Sequence, residues 1–479
     1  MELTARPLSM LRRLLALFRL RPFDTATEAG RSKERLRRAG LTTLSSGAAR
    51  GVGILASLIT VPLTYRYLGP EQYGLWMVLA SIIAAMGFAD LGIGLGLVNA
   101  ISEAHGKDDR ELARQYFTSA FGMLLTVAVL LAVAGAIAYP FVPWMRLFNV
   151  KSPAVAAEGA RALLVLYAWF IINIPLDVAS RVQTGFQKGY VPQIIRMAGS
   201  VATLVALLVV IALHGSLAWL VFGSTVGSIV STIVNVWVLF YHDPWLIPAL
   251  HAFHFGAAKK ILRLGLMFFV LQCCVVAAYT SDNIVITQIM GAAAVAAYAV
   301  PRKLFAFPLA IVGMAINSLW PAYGEAISRG DVSWVRRTFI GSLWLVLGIT
   351  VPSCIFLVTA GPWILRVFFG KSLSVSMSLL VVLAVWAVVD MVSTAVAIMM
   401  NGIGILRIQM FVAPPVSIIN LALSIYLTRY FGLVGVCMGS IIAQSCLTLP
   451  IYWVVIRRRF RTMNESSLTE RLQQLSSLR

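Results

Sequence analysis

The chain has 479 residues, 59% of them hydrophobic and 12% charged, with a mean hydropathy of +0.85. That composition excludes a soluble globular domain and defines an all-α polytopic membrane protein. A net charge of +20 would suit nucleic acid, but the basic residues follow the membrane topology set out below, and no nucleic-acid partner is expected.

Residues 1–40 form a basic segment with ten Lys or Arg. Within it, 10–21 is an amphipathic run whose charges at Arg12, Arg13, Arg19 and Arg21 suit the membrane surface rather than a span or a cleaved leader. Hydrophobic runs of spanning length follow at 43–66, 73–97, 116–140, 162–180, 194–213 and 217–241. A polar linker covers 242–263, and six further runs lie at 264–287, 292–320, 340–361, 375–400, 411–428 and 433–456. The expected organisation is two six-helix bundles, 41–241 and 264–457, around a central cavity, with a tail at 458–479. Between the first two spans, Leu68-Gly69-Pro70 reads as a tight turn, since proline lacks an amide donor and suits a helix start.

With the amino terminus inside, 29 of the 39 Lys and Arg fall on cytoplasmic segments, counting Arg196 at the inner end of its run, and seven on outer ones, counting Arg66 at the outer end of its run. The positive-inside rule then puts both termini in the cytoplasm. The remaining three, Arg50, Arg302 and Lys303, lie within spans.

A shift of 222 residues lays Gly69 on Gly291, Glu103-Ala104 on Glu325-Ala326, Asp109 on Asp331, Arg114 on Arg336 and Phe117 on Phe339. Six spans separate the copies, so the halves are parallel repeats about an axis along the membrane normal, an arrangement that can open a cavity alternately to either side.

The charges inside spans are the candidates for function, because each costs about 2.5 to 3.5 kcal/mol even on the lenient insertion scale. Arg50, in Gly47-Ala48-Ala49-Arg50-Gly51, is either a phosphate contact or a residue snorkelling to headgroups, with small neighbours that permit close helix approach. Arg302 and Lys303 follow Pro301 near mid-membrane and point about 100° apart, so one is expected to face the cavity and the other a partner. Asp282, on the preceding antiparallel helix, is the partner at matching depth, either as a structural ion pair or as a protonatable switch. Asp390 and Asp90 either couple an ion gradient or cap or pair locally, whereas Asp177 is expected to pair locally with Arg181. Pro62, Pro175, Pro301, Pro308, Pro352, Pro414 and Pro415 mark bends within spans.

No catalytic constellation or nucleotide-binding loop is legible, so no enzyme activity, catalytic residue or cofactor is expected. His251 and His254 lack further ligands nearby and the five cysteines all lie in apolar stretches, so no metal site is expected.

The motifs Tyr67-Leu68-Gly69-Pro70-Glu71-Gln72-Tyr73-Gly74-Leu75-Trp76 and Asp90-Leu91-Gly92-Ile93-Gly94 resemble the opening of the Wzx-type polysaccharide and O-antigen flippases of the MATE-like multidrug/oligosaccharidyl-lipid/polysaccharide exporter superfamily. Gly185-Phe186-Gln187-Lys188-Gly189 and Ser281-Asp282-Asn283 with Gly291 and Tyr298 extend the resemblance over 41–457. It implies a V-shaped pair of bundles in the bacterial inner membrane that flips an undecaprenyl-diphosphate-linked oligosaccharide, an O-antigen (lipopolysaccharide) or exopolysaccharide repeat unit, to the periplasmic leaflet. A proton or sodium gradient would drive it, Arg50, Arg302 and Lys303 would receive the diphosphate, and a polysaccharide polymerase and chain-length regulator would be partners. A multidrug or cation antiporter of the same superfamily should have an acidic cavity instead. Lipid II flippases carry two additional helices, and a membrane-embedded polymerase or glycosyltransferase needs catalytic residues in a sizeable outer loop.

Overall fold

The computed structural model describes residues 22–85, 90–142, 153–249, 252–290, 292–369 and 375–461. The amphipathic run at 10–21, His251, Gly291 and the outer-loop residues Arg146 and Lys151 lie outside the described residues. Among those described there is no strand. In chain order the helices are α1 (Glu28–Ala85), α2 (Ile93–Gly106), α3 (Arg110–Ala138), α4 (Pro153–Leu176), α5 (Val178–Gly185), α6 (Tyr190–Ala212), α7 (Leu217–His242), α8 (Phe255–Met290), α9 (Ala292–Ser318), α10 (Trp320–Ser328), α11 (Val332–Phe369), α12 (Met377–Gly402), α13 (Leu406–Phe431) and α14 (Leu433–Arg461). Nine spans among the described residues are long and apolar enough to cross a membrane, and they coincide with nine of the twelve expected runs. Of the other three, 43–66 falls on α1, 73–97 covers the end of α1 and the start of α2, and 264–287 falls on α8.

One expectation fails. α1 continues unbroken through Leu68-Gly69-Pro70, where a turn between two spans was expected. A proline removes one backbone hydrogen bond, and a membrane helix absorbs that loss as a bend. The sharp turn comes some twenty residues later. There Leu91 and Gly92 adopt left-handed conformations (φ 51° and 71°), and the Asp90 carboxylate accepts from the Gly92 amide at 3.0 Å. An aspartate closing on its own backbone two residues on is a sufficient local cause of a turn.

The chain divides into two compact units, Met1–Leu266 and Met267–Arg479. The first is built around α2, whose Ile93, Leu97, Ala100, Ile101 and Ala104 are almost fully buried against α3, α5 and the beginning of α8. Gly96 makes that last contact possible, since a Cβ there would stand 2.8 Å from the Ile261 carbonyl oxygen and 2.9 Å from the Gly265 nitrogen. Lys260 locks it, donating to Glu103 Oε2 at 2.7 Å and to the Tyr116 hydroxyl at 2.8 Å. Burial opposes both charges, but the pairing prevails, lowering the Glu103 pKa and raising that of Lys260. In the second unit Phe305, Val312, Ile316, Tyr323, Leu380 and Met399 form the buried centre. Outward, large apolar side chains such as Leu130, Ile137, Trp219, Phe307, Trp344 and Ile418 stand exposed, as expected of helices whose solvent is lipid.

The repeat seen at a shift of 222 is present at atomic detail. Asp109 caps α3 by accepting from Leu112 N at 2.9 Å, and Asp331 caps α11 by accepting from Trp334 N at 3.2 Å. Glu103 pairs with Lys107 and Glu325 with Arg329, each four residues on. Between them, Asp108 and Gly330 take the same left-handed conformation (φ 53° and 75°), and the following amides close on Ala104 O and Ala326 O. One further turn corresponds that identity does not reveal: Gln187 and Gly404 are both at positive φ, and the following amides close on Gln183 O and Met400 O.

Candidate functional site

The strongest concentration of polar groups within the spans lies in the second unit, on α8, α9, α12 and α14. Asp282 of α8 is buried, its side chain 4% exposed, and Arg302 Nη1 meets its Oδ2 at 2.8 Å. The Tyr298 hydroxyl, one turn before Arg302 on α9, donates to the same oxygen at 3.0 Å and receives a 3.8 Å contact from the Cys437 thiol of α14. Oδ1 of Asp282 is buried with no hydrogen-bond partner among the described residues. Such an orphaned acceptor is expensive in a low-dielectric interior unless something else occupies it.

Arg302 is also held by two rings, its guanidinium carbon 5.5 Å from the Tyr298 centroid and 4.9 Å from that of Trp386 on α12. Four residues after Trp386, on the same face, Asp390 Oδ1 accepts from Gln444 Nε2 at 3.4 Å, and Ser393 donates to Gln444 Oε1 at 3.3 Å. Gln444 lies in a π-helical turn, Ala443–Thr448. Wide turns of this kind inside α-helices recur at functional sites. Lys303, next to Arg302, points elsewhere: it is exposed, with no ion-pair partner among the described residues. The pair thus divides as helical spacing requires, one cation held by a carboxylate and its neighbour open.

Arg50 on α1 is likewise exposed and without an ion-pair partner among the described residues. Its small neighbours do not serve the close approach expected of them, since a Cβ at Gly47 or Gly51 would meet nothing within 4 Å. Close approach in that unit occurs elsewhere, between α6 and α7 at Gly199 and Gly227, and between α2 and α8 at Gly96. Asp90 sits beside Arg181: a Cβ on Gly94 would stand 3.0 Å from Asp90 Oδ2 and 3.2 Å from Arg181 Nε. Asp177 meets Arg181 at 2.9 Å, the local pairing expected from their spacing.

Trp386, Ser393 and Gln444 escaped sequence reasoning. A tryptophan in an apolar span carries no signal by itself, and only the packing of α9 against α12 makes it a partner of Arg302. The Trp386–Asp390 spacing of one helical turn is the cue that was available.

These features define a multi-pass helical membrane protein of the fold found in MATE transporters. The chain superimposes on an outward-facing multidrug resistance MATE family transporter of the MOP superfamily with a TM-score of 0.75, at 18% identity, covering 91% of this chain and 97% of the other. A MOP superfamily transporter from Pyrococcus furiosus gives 0.73 at 17% identity, with coverage of 89% and 96%. Residues 41–327 match the family described as polysaccharide biosynthesis protein, and the chain belongs to that family. Two curated relatives are named as O-antigen transporters: one from Salmonella typhi is 21% identical over 408 residues, 84% of this chain and 93% of its own length. The other, from Salmonella typhimurium, is 23% identical over 429 residues, 87% of this chain and 94% of its own length.

Proposed function

We propose that the protein is a transporter of polysaccharide precursors that flips an undecaprenyl-diphosphate-linked oligosaccharide from the cytoplasmic to the periplasmic leaflet of the bacterial inner membrane by alternating access. The observation that carries this reading is the pair of open cations, Arg50 and Lys303, in sequence stretches that span the membrane. A cation left unpaired there is costly unless an anion meets it, and a diphosphate supplies that anion. Family membership and the names of the Salmonella relatives support the polysaccharide cargo. A cation antiporter would need the opposite balance, open carboxylates rather than open cations.

In this reading Arg302 contributes to the same electropositive surface when Asp282 is neutralised, and the open Oδ1 of Asp282, with Asp390 and its glutamine, forms the station for the coupling ion, a proton or sodium. Both termini lie in the cytoplasm, as the distribution of Lys and Arg favours. The finished repeat unit passes to a polysaccharide polymerase and its chain-length regulator outside.

The test is complementation of a strain lacking its own flippase. Arg50→Ala and Lys303→Ala should insert normally yet reduce surface polysaccharide at least tenfold, while Lys303→Arg keeps most of it. Wild-type export from both alanine variants would refute the assignment.

A further inference from the structure

The first unit holds a cavity of about 380 Å³ that none of the groups just described lines. It opens between the α2–α3 turn, the α5–α6 turn and the segment after α7, and its walls carry Arg38, Asp108, Arg110, Phe186, Lys188 and Trp245. Its floor is fixed. Asp243 joins Lys188, at 2.9 Å, to the Trp245 indole nitrogen, at 3.3 Å. Phe186 stands edge-on to Trp245 at 6.1 Å, and its carbonyl accepts from Arg38 at 3.3 Å. The Arg110 guanidinium lies over the Trp245 ring at 5.9 Å and has no ion pair among the described residues.

The internal repeat shows how the turns bordering this cavity differ from their counterparts in the second unit. The two turns that border it pass through left-handed conformations at Asp108 and Gln187 (φ 53° and 59°), whereas the corresponding turns of the second unit do so at Gly330 and Gly404 (φ 75° and 77°). Glycine takes this conformation without penalty and a residue with a Cβ does not. The turn geometry therefore requires no side chain, yet the first unit keeps one at both places, side by side with the cavity. The two side chains thus stand at turns beside the cavity where the second unit has glycine.

The lining chemistry selects the ligand. Aromatic faces beside charged groups of both signs suit a sugar, whose ring has an apolar face and whose hydroxyls both donate and accept. A phosphate would face Asp108 and Asp109 as well as the cations, and the volume lies in the range of small-ligand clefts, about 300–1,000 Å³. We propose that this cavity is a carbohydrate subsite on the cytoplasmic face, holding one or two sugars of the lipid-linked glycan before translocation. It rests on the flippase reading and adds to it the point at which the glycan, rather than the diphosphate, is recognised. It also gives the Phe186-Gln187-Lys188 motif a role.

The experiment measures binding of the repeat-unit oligosaccharide, released from its lipid, to the purified full-length protein by calorimetry. Alongside it, vesicles containing the protein are assayed for flipping of the intact lipid-linked oligosaccharide. Arg110→Ala and Asp108→Gly should each weaken oligosaccharide binding at least tenfold, and the second relieves strain, so misfolding does not account for its effect. Pyrophosphate at millimolar concentration should not compete. Absent binding, equal binding by both variants, or displacement by pyrophosphate would overturn the subsite. If wild type flips the lipid-linked oligosaccharide while the calorimetry fails, the subsite alone falls. If wild type flips nothing, the flippase reading falls first.

Discussion

At the scale of single residues, Asp282 and Arg302 depend on each other. Removing the cation leaves a buried carboxylate with one oxygen already lacking a partner, a loss of about 3–5 kcal/mol for a broken buried pair. Removing the charge from both sides relieves most of it. Arg302→Ala should therefore lower the melting temperature of the purified protein sharply, and Arg302→Ala with Asp282→Asn should recover much of the loss; additive losses would show that the pair is not coupled. Asp282→Asn alone should remain folded and lose its response to an imposed ion gradient. This pair was legible in the sequence because its members lie on consecutive antiparallel helices at matching depth. Their surroundings were not: Trp386 reaches Arg302, and Gln444 reaches the nearby Asp390, through contacts between helices far apart in the chain. Lys303, by contrast, was identified only as one of two cations that could not both aim at one partner, and the division between them needed the rotamers.

At the scale of elements, the start of α1 is tied down by Glu34, which is 3% exposed and pairs with Arg37 at 2.7 Å and Arg38 at 2.8 Å while accepting from the Phe23 amide at 3.0 Å. Burial raises its pKa, and these hydrogen bonds more than reverse that, bringing the carboxyl down to about 2 from 4.5. A depressed carboxylate pKa contributes stability that is complete above the unfolded value and is lost as pH falls through the folded one. The melting temperature of wild type should exceed that of Glu34→Gln at pH 6, and the gap should close as pH drops from about 4.5 towards 2. A gap that is constant with pH would mean that shape, not charge, holds the segment. Element boundaries were read with uneven success. Charged loop residues repeated at a shift of 222, so the Asp109 and Asp331 caps could be matched, but the Gln187–Gly404 turn pairs unlike residues at a slightly different spacing, and only backbone conformation relates the two. The break assigned to Gly69-Pro70 failed because proline can bend a helix as well as end one, while the real turn at Asp90-Leu91-Gly92 was read as the far end of a span.

At the scale of the whole molecule, two units with matching turns have diverged in what they carry. The second gathers carboxylates, a guanidinium and aromatic rings within its spans; the first keeps strained side chains around a cavity near its polar turns. In the proposed reading, ion-responsive chemistry belongs to the second repeat and glycan recognition to the first. The all-helical membrane class was evident from composition alone, since no soluble fold tolerates such hydropathy. The most direct measurement is the rate at which purified protein in liposomes moves a fluorescent undecaprenyl-diphosphate-linked oligosaccharide between leaflets under an imposed proton or sodium gradient. Flipping by wild type that depends on one of these gradients and falls at least tenfold in Lys303→Ala is the predicted result; no flipping above protein-free liposomes, or an equal rate in the variant, would contradict it.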